Sequence, residues 1–168
     1  MNRLMTQTYS DCSRSRIIYN ANNHKFENMT EVSVLVDSRG GNTRKVADAL
    51  AEELGIQAGD VATITPADAK ILFLGSGTYG GKPGKAMMKF IEAGNFSGRK
   101  VAIFGTAASL AGAQKMITAM TEILKMKGAT ILGSYPCKGK FFVINWGHPD
   151  KEDLDYAKKF AREMINKN

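Results

Sequence analysis

The chain predicts a doubly wound α/β domain on a five-stranded parallel sheet, and three observations lead there. Short apolar runs alternate with stretches whose apolar residues recur every three or four positions, from Val32 to the C-terminal helix pattern. Two runs, Ile71-Leu72-Phe73-Leu74 and Val101-Ala102-Ile103-Phe104, are apolar at every position, as strands covered on both faces require. Runs of small residues follow three of the strands and lead into helical patterns, the arrangement of repeated β-loop-α units.

Strands are expected at 31–36, 61–65, 70–75, 100–105 and 129–134, and helices near 43–54, 84–93, 112–127 and 150–166. The first helix shows its buried face in Val46, Ala47, Leu50, Ala51 and Leu54. Only Pro66-Ala67-Asp68-Ala69 separates the second and third strands, which places the second at a sheet edge. The last helix starts after Gly147-His148-Pro149 with Asp150 capping Asp153. Tyr135 and Trp146 are expected to pack beneath it. Right-handed crossovers and a strand order of 2-1-3-4-5 put a ligand crevice at the C-terminal ends of strands one and three.

The 168 residues suffice for one domain with a core, here 29–168, preceded by a polar, aperiodic extension over 1–28 that is expected to be flexible. No apolar run approaches the ~20 residues that span a bilayer, and no signal-peptide pattern opens the chain, so a cytoplasmic protein without membrane contact is expected. Cys12 and Cys137 are too few for a disulfide framework and fit a reducing compartment. Lys138 and Lys140 would lower the Cys137 thiol pKa if it were exposed; without a CxxC motif or a paired His it reads as a structural thiol. Two histidines and no clustered cysteines offer no metal-ligating spacing, and no catalytic triad or carboxylate pair stands out. The net charge is +7. Its lysines are spread along helices without interleaved aromatics, which argues against nucleic acid. The charge balance either has no specific meaning or suits an acidic protein partner.

Three loops carry the functional signal. In the first, Val32-Ser33-Val34-Leu35-Val36 runs into Ser38-Arg39-Gly40-Gly41-Asn42-Thr43 and then a helix. Backbone N–H groups of a tight turn point into one concavity, and a helix N-terminus adds partial positive charge. Ser38, Asn42 and Thr43 add neutral donors, and Gly40 and Gly41 allow close approach. The loop is neither a Walker motif nor Gly-x-Gly-x-x-Gly, and suits a single terminal phosphate. The plainer alternative is a strand-to-helix turn with Asn42 or Thr43 as N-cap.

Val34 to Gly55 resembles the first strand, phosphate loop and first helix of the flavodoxins, whose pattern is Ser/Thr-x-Thr-Gly-Asn-Thr. Ser38, Gly41, Asn42 and Thr43 match it, and Gly40 stands where the family has Thr. The resemblance extends over about Val32 to Ile165 and implies a short-chain, flavodoxin-like fold and non-covalent binding of flavin mononucleotide (FMN), with Ser38, Arg39, Gly40, Gly41, Asn42 and Thr43 at the phosphate. The missing hydroxyl at Gly40 corresponds to about 1 kcal/mol of affinity. In the second loop, Gly75-Ser76-Gly77-Thr78-Tyr79-Gly80-Gly81-Lys82-Pro83 is similar to a flavodoxin-like Gly-Ser/Thr-Pro-x-Tyr-x-Gly-Lys-Pro segment. Thr78, Tyr79, Gly80 and Gly81 would flank the flavin, with the Tyr79 ring stacked on it; otherwise Tyr79 is a surface turn residue. In the third, Thr106, Ala107, Ala108 and Ser109 would cover the other side, or Ser109 would simply cap a helix. This loop lacks the family's second aromatic and its acids, which implies one-sided stacking and a reduction potential less negative than in acidic flavodoxins. The function implied is electron transfer between redox partner proteins. An FMN-dependent NAD(P)H oxidoreductase and a flavin-free binding module are the alternatives.

Overall fold

The computed structural model describes residues 32–63, 69–140, 143 and 145–167. The extension over 1–28, with Cys12 in it, lies outside the described residues. Ten elements follow in order: β1 (Val32–Asp37), α1 (Asn42–Glu53), β2 (Ala58–Asp60), β3 (Ile71–Tyr79), β4 (Lys82–Pro83), α2 (Lys85–Ala93), β5 (Lys100–Ala107), α3 (Leu110–Met126), β6 (Thr130–Lys138) and α4 (Lys151–Asn166).

The sheet runs β2-β1-β3-β5-β6, with all four neighbouring pairs parallel. This is the expected 2-1-3-4-5 order of the five parallel strands, and the short β4 adds antiparallel to the end of β3. Alternate residues of the apolar runs feed two cores. Val34, Val36, Phe73 and Phe104 face α1 and α4 on one side. Leu35, Leu72, Leu74 and Ile103 face α2 and α3 on the other. Both sets are almost fully buried, which explains the uninterrupted apolar runs; each such side chain contributes about 1.5–3 kcal/mol by leaving water. Gly75 has no Cβ because the Phe104 ring lies against its backbone.

Three elements depart from expectation, one of them β6, which runs on to Lys138 instead of ending at 134. The edge strand is Ala58–Asp60, ahead of the expected 61–65, of which 61–63 form a turn and 64–65 lie outside the described residues; it pairs with Val34–Val36. Asp60 ends it, because its carboxylate accepts the Ala62 N–H at 2.8 Å and its carbonyl the Thr63 N–H at 3.1 Å, closing a turn. The third strand continues through Tyr79 and folds back on β4, where Tyr79 pairs with Lys82. Gly80 and Gly81 form the two-residue turn at φ 60° and 79°, the positive φ that such tight hairpins need at both positions.

Candidate functional site

Register brings the C-terminal ends of β1, β3, β5 and β6 to one rim: Asp37 lies beside Ser76, Ser76 beside Gly105, and Ala107 beside Lys138. The β1–α1 turn starts there. Gly41 occupies the N-cap position in the left-handed region at φ 80°, which a residue with a Cβ adopts only under strain. Ser38 Oγ reaches over the turn and accepts the Arg44 N–H at 3.2 Å. Among the described residues the next four amides, of Gly40, Gly41, Asn42 and Thr43, have no acceptor. A row of free N–H groups at a helix start is the chemistry that holds an oxyanion. None of α1, α2 and α3 has an acidic residue of its own in its first turn, so the positive end of α1 at the rim is not offset by an acid of that helix.

Hydrogen bonds tie the turn to its neighbours. Thr43, 1% exposed, shares a 2.8 Å hydroxyl–hydroxyl hydrogen bond with Thr106 at the end of β5. Asn42 Nδ2 donates to the Lys140 carbonyl at 2.9 Å. Neither Asn42 nor Thr43 is the N-cap. Buried Asp37, the last residue of β1, accepts the Met87 N–H at 3.1 Å and so caps α2 from another element. Gly84 makes room for it, since a Cβ there would overlap the carboxylate.

The hairpin lays Tyr79 against the turn. The Arg39 amide donates to Tyr79 Oη at 2.9 Å, and the Arg39 guanidinium lies 4.4 Å from the ring centroid. Thr78 Oγ1 is buried and is without a hydrogen-bond partner, an arrangement that costs free energy unless a ligand completes it.

Opposite stand Thr106, Ala107 and Ala108, joined to the segment after β6. Gly139 N–H donates to the Ala107 carbonyl at 2.8 Å, and Asn145 Nδ2 to the Ala108 carbonyl at 2.6 Å. Ser109 faces elsewhere: its Oγ accepts the Gly112 N–H at 3.1 Å and caps α3.

A concavity of about 180 Å³ opens between these parts. Ser38, Gly40, Asn42, Thr43, Thr78, Tyr79, Thr106, Ala107 and Ala108 line it. Of the other expected residues, Arg39 backs the Tyr79 ring, Gly41 shapes the turn, Gly80 and Gly81 turn the hairpin, and Ser109 caps α3. Gly77, Gly139 and Lys140 also line it. The last two follow the final strand and therefore lie on the same rim, a signal already present in the topology.

The flavodoxin domain family matches residues 33–144. The chain belongs to that family. A flavodoxin of Klebsiella pneumoniae is 28% identical over 161 residues, covering 83% of this chain and 90% of that protein. An uncharacterized protein of Methanocaldococcus jannaschii is 30% identical over 135 residues, covering 74% of this chain and 90% of its own length. The crystal structure of oxidised flavodoxin 1 from Bacillus cereus superposes with a TM-score of 0.66 at 20% identity, over 81% of this chain and 97% of that one.

Of three side chains singled out in the sequence of this flavodoxin domain, one departs from expectation and two agree with it. Trp146 does not pack beneath α4; it is 74% exposed, with Lys140 Nζ 3.4 Å from its ring centroid. Tyr135 does pack there, stacked on Phe160 at 5.8 Å and donating to the Asp153 carbonyl at 2.7 Å. Cys137 is 1% exposed, so its flanking lysines do not lower its pKa; burial, reinforced by Asp153, pushes the thiol up to about 12. Burial, with Cys137 and Asp153 nearby, also raises the Tyr135 pKa. Asp150 and Asp153 form the expected reciprocal cap, which also engages His148 Nδ1 at 2.6 Å from Asp153 Oδ2. These three side chains bring their donor atoms within 4.8 Å of one another, with the carboxylates engaged in the cap. No helix among the described residues is long and apolar enough to cross a membrane.

Proposed function

We propose that this domain holds FMN non-covalently and carries one or two electrons between redox proteins. The row of free amides from Gly40 to Thr43 at the start of α1 carries the reading, because it offers a neutral cradle for one terminal phosphate. Ser38 would add its hydroxyl; Gly41 sets the turn and Arg39 the local charge. The unpartnered Thr78 hydroxyl fits a polar ligand atom at the same cavity. Tyr79, backed by the Arg39 guanidinium, offers its ring to one face of the flavin, and the small side chains of Ala107 and Ala108 leave room on the other. The cavity is smaller than the usual range for enclosed ligands, so the flavin ring would lie across its mouth, where a partner can approach. FMN supplies the redox chemistry when bound. The protein supplies orientation and, through the cations Arg39 and Lys140 and the α1 start without an acid of its own, a positive surrounding that favours reduced, anionic flavin.

The test is a redox titration of the FMN-loaded protein together with a challenge by NADH and NADPH. The reading predicts reversible reduction at a potential less negative than in acidic flavodoxins, and a flavin that stays oxidised when only a nicotinamide nucleotide is added. Rapid bleaching by NADH or NADPH would assign the fold to an oxidoreductase instead.

A further inference from the structure

The lysines of the hairpin and α2 have no part in the site above. Lys82, Lys85 and Lys89 line a groove of about 530 Å³ whose apolar wall is Pro83, Met88, Ala119 and Ile123. All three lysines are exposed. No carboxylate pairs with any of them among the described residues. The acids of the two bordering helices, Glu92 and Glu122, stand in the half of each helix away from the rim. The groove begins at Lys82, the residue paired with Tyr79. It is thus an apolar trough edged by one sign of charge, next to the ring that would face the flavin.

We propose that this groove docks an acidic redox protein. The electron-carrying part of the inference rests on the FMN reading; the docking part does not. Unpaired cations around an apolar floor attract a partner whose carboxylates surround an apolar contact, with charge setting orientation and encounter rate and the floor adding adhesion. A second copy of this chain is a poor match, because it carries a net charge of +7 and presents the same lysines. In each productive encounter one electron leaves the reduced cofactor and reduces the oxidised centre of the partner, or moves in the reverse direction.

The test is NMR of the ¹⁵N-labelled full chain, with and without added FMN, titrated with a zinc-loaded acidic rubredoxin and separately with reduced, basic cytochrome c. Rubredoxin is expected to shift amides at Lys82–Lys89 and Ala119–Ile123, an effect that added salt abolishes and cytochrome c does not reproduce. The double variant Lys85→Glu/Lys89→Glu is expected to weaken rubredoxin binding by about tenfold or more and to leave the FMN titration unchanged. Shifts spread over lysines of every helix, unchanged binding by the variant, or self-association through this face would overturn the proposal. Mapped shifts in a protein that never takes up FMN would keep the docking face and remove the electron-carrier reading.

Discussion

The Arg39 amide and the Tyr79 hydroxyl meet at 2.9 Å while the Arg39 guanidinium covers the Tyr79 ring at 4.4 Å, so one residue of the turn both holds and backs the aromatic that faces the cavity. Two substitutions separate these roles. Tyr79→Phe keeps the ring and frees the amide; FMN affinity should change by less than about threefold. Tyr79→Ala removes the ring, and a stacking contribution of about 0.5–1.5 kcal/mol predicts a loss of about 2- to 13-fold or more once burial is included. Fluorescence titration of both variants checks the pair. Equal loss in the two would place the contribution in the hydroxyl.

Gly40 is the one departure from the family's phosphate pattern, and the structure leaves space for the missing side chain. A Cβ there would meet nothing within 4 Å, and the residue does not need positive φ. Gly40→Thr should therefore restore a hydroxyl donor without strain and tighten FMN binding about fivefold, the equivalent of about 1 kcal/mol. Weaker binding by the variant would show that the loop needs the freedom of glycine.

The buried bond between Thr43 and Thr106 joins the first loop to the third. Thr43→Val leaves Thr106, 4% exposed, with an unsatisfied hydroxyl, and should cost about 1–3 kcal/mol of stability. Thr43→Val/Thr106→Val removes both hydroxyls and should cost less than the two single changes added together. Chemical denaturation of the four proteins measures the coupling.

The raised thiol pKa of Cys137 has a sign that can be checked. The folded state keeps the proton up to about pH 12, whereas an unfolded thiol loses it near its ordinary value of 9.0. Between those values the unfolded state binds fewer protons, so stability falls as pH rises; below about 9 this group contributes no pH dependence. Tyr135 acts in the same direction above its ordinary pKa of 10.0. Cys137→Ala should flatten the alkaline decline, and native Cys137 should resist alkylation at pH 8. Fast modification of the folded protein would contradict the burial.

Sequence patterns made most of the sheet legible because its central strands are covered on both faces, and continuous apolar runs such as Leu72-Phe73-Leu74 have few other uses. The turn from Ser38 to Thr43 was legible because strand, small residues and helix occur in immediate succession. Ala58-Gly59-Asp60 carries no such mark: it becomes a strand because β1 offers it an open edge. Gly75 to Thr78 looked like a loop because small residues dominate, yet close neighbours such as Phe104 are what make them small. Trp146 misled because aromatic residues usually pack, whereas here the ring stands at the rim with a lysine over it. Gly139 and Lys140 went unread because their part depends on where β6 ends, not on their chemistry.

FMN titration of flavin-stripped protein tests the central claim most directly, following flavin emission and the emission of Trp146, the only tryptophan. Saturable quenching of both in the wild type, weakened by Tyr79→Ala and by Asn42→Ala, is the predicted result. No quenching at high-micromolar FMN would contradict it, and the electron-carrier assignment would fall with it.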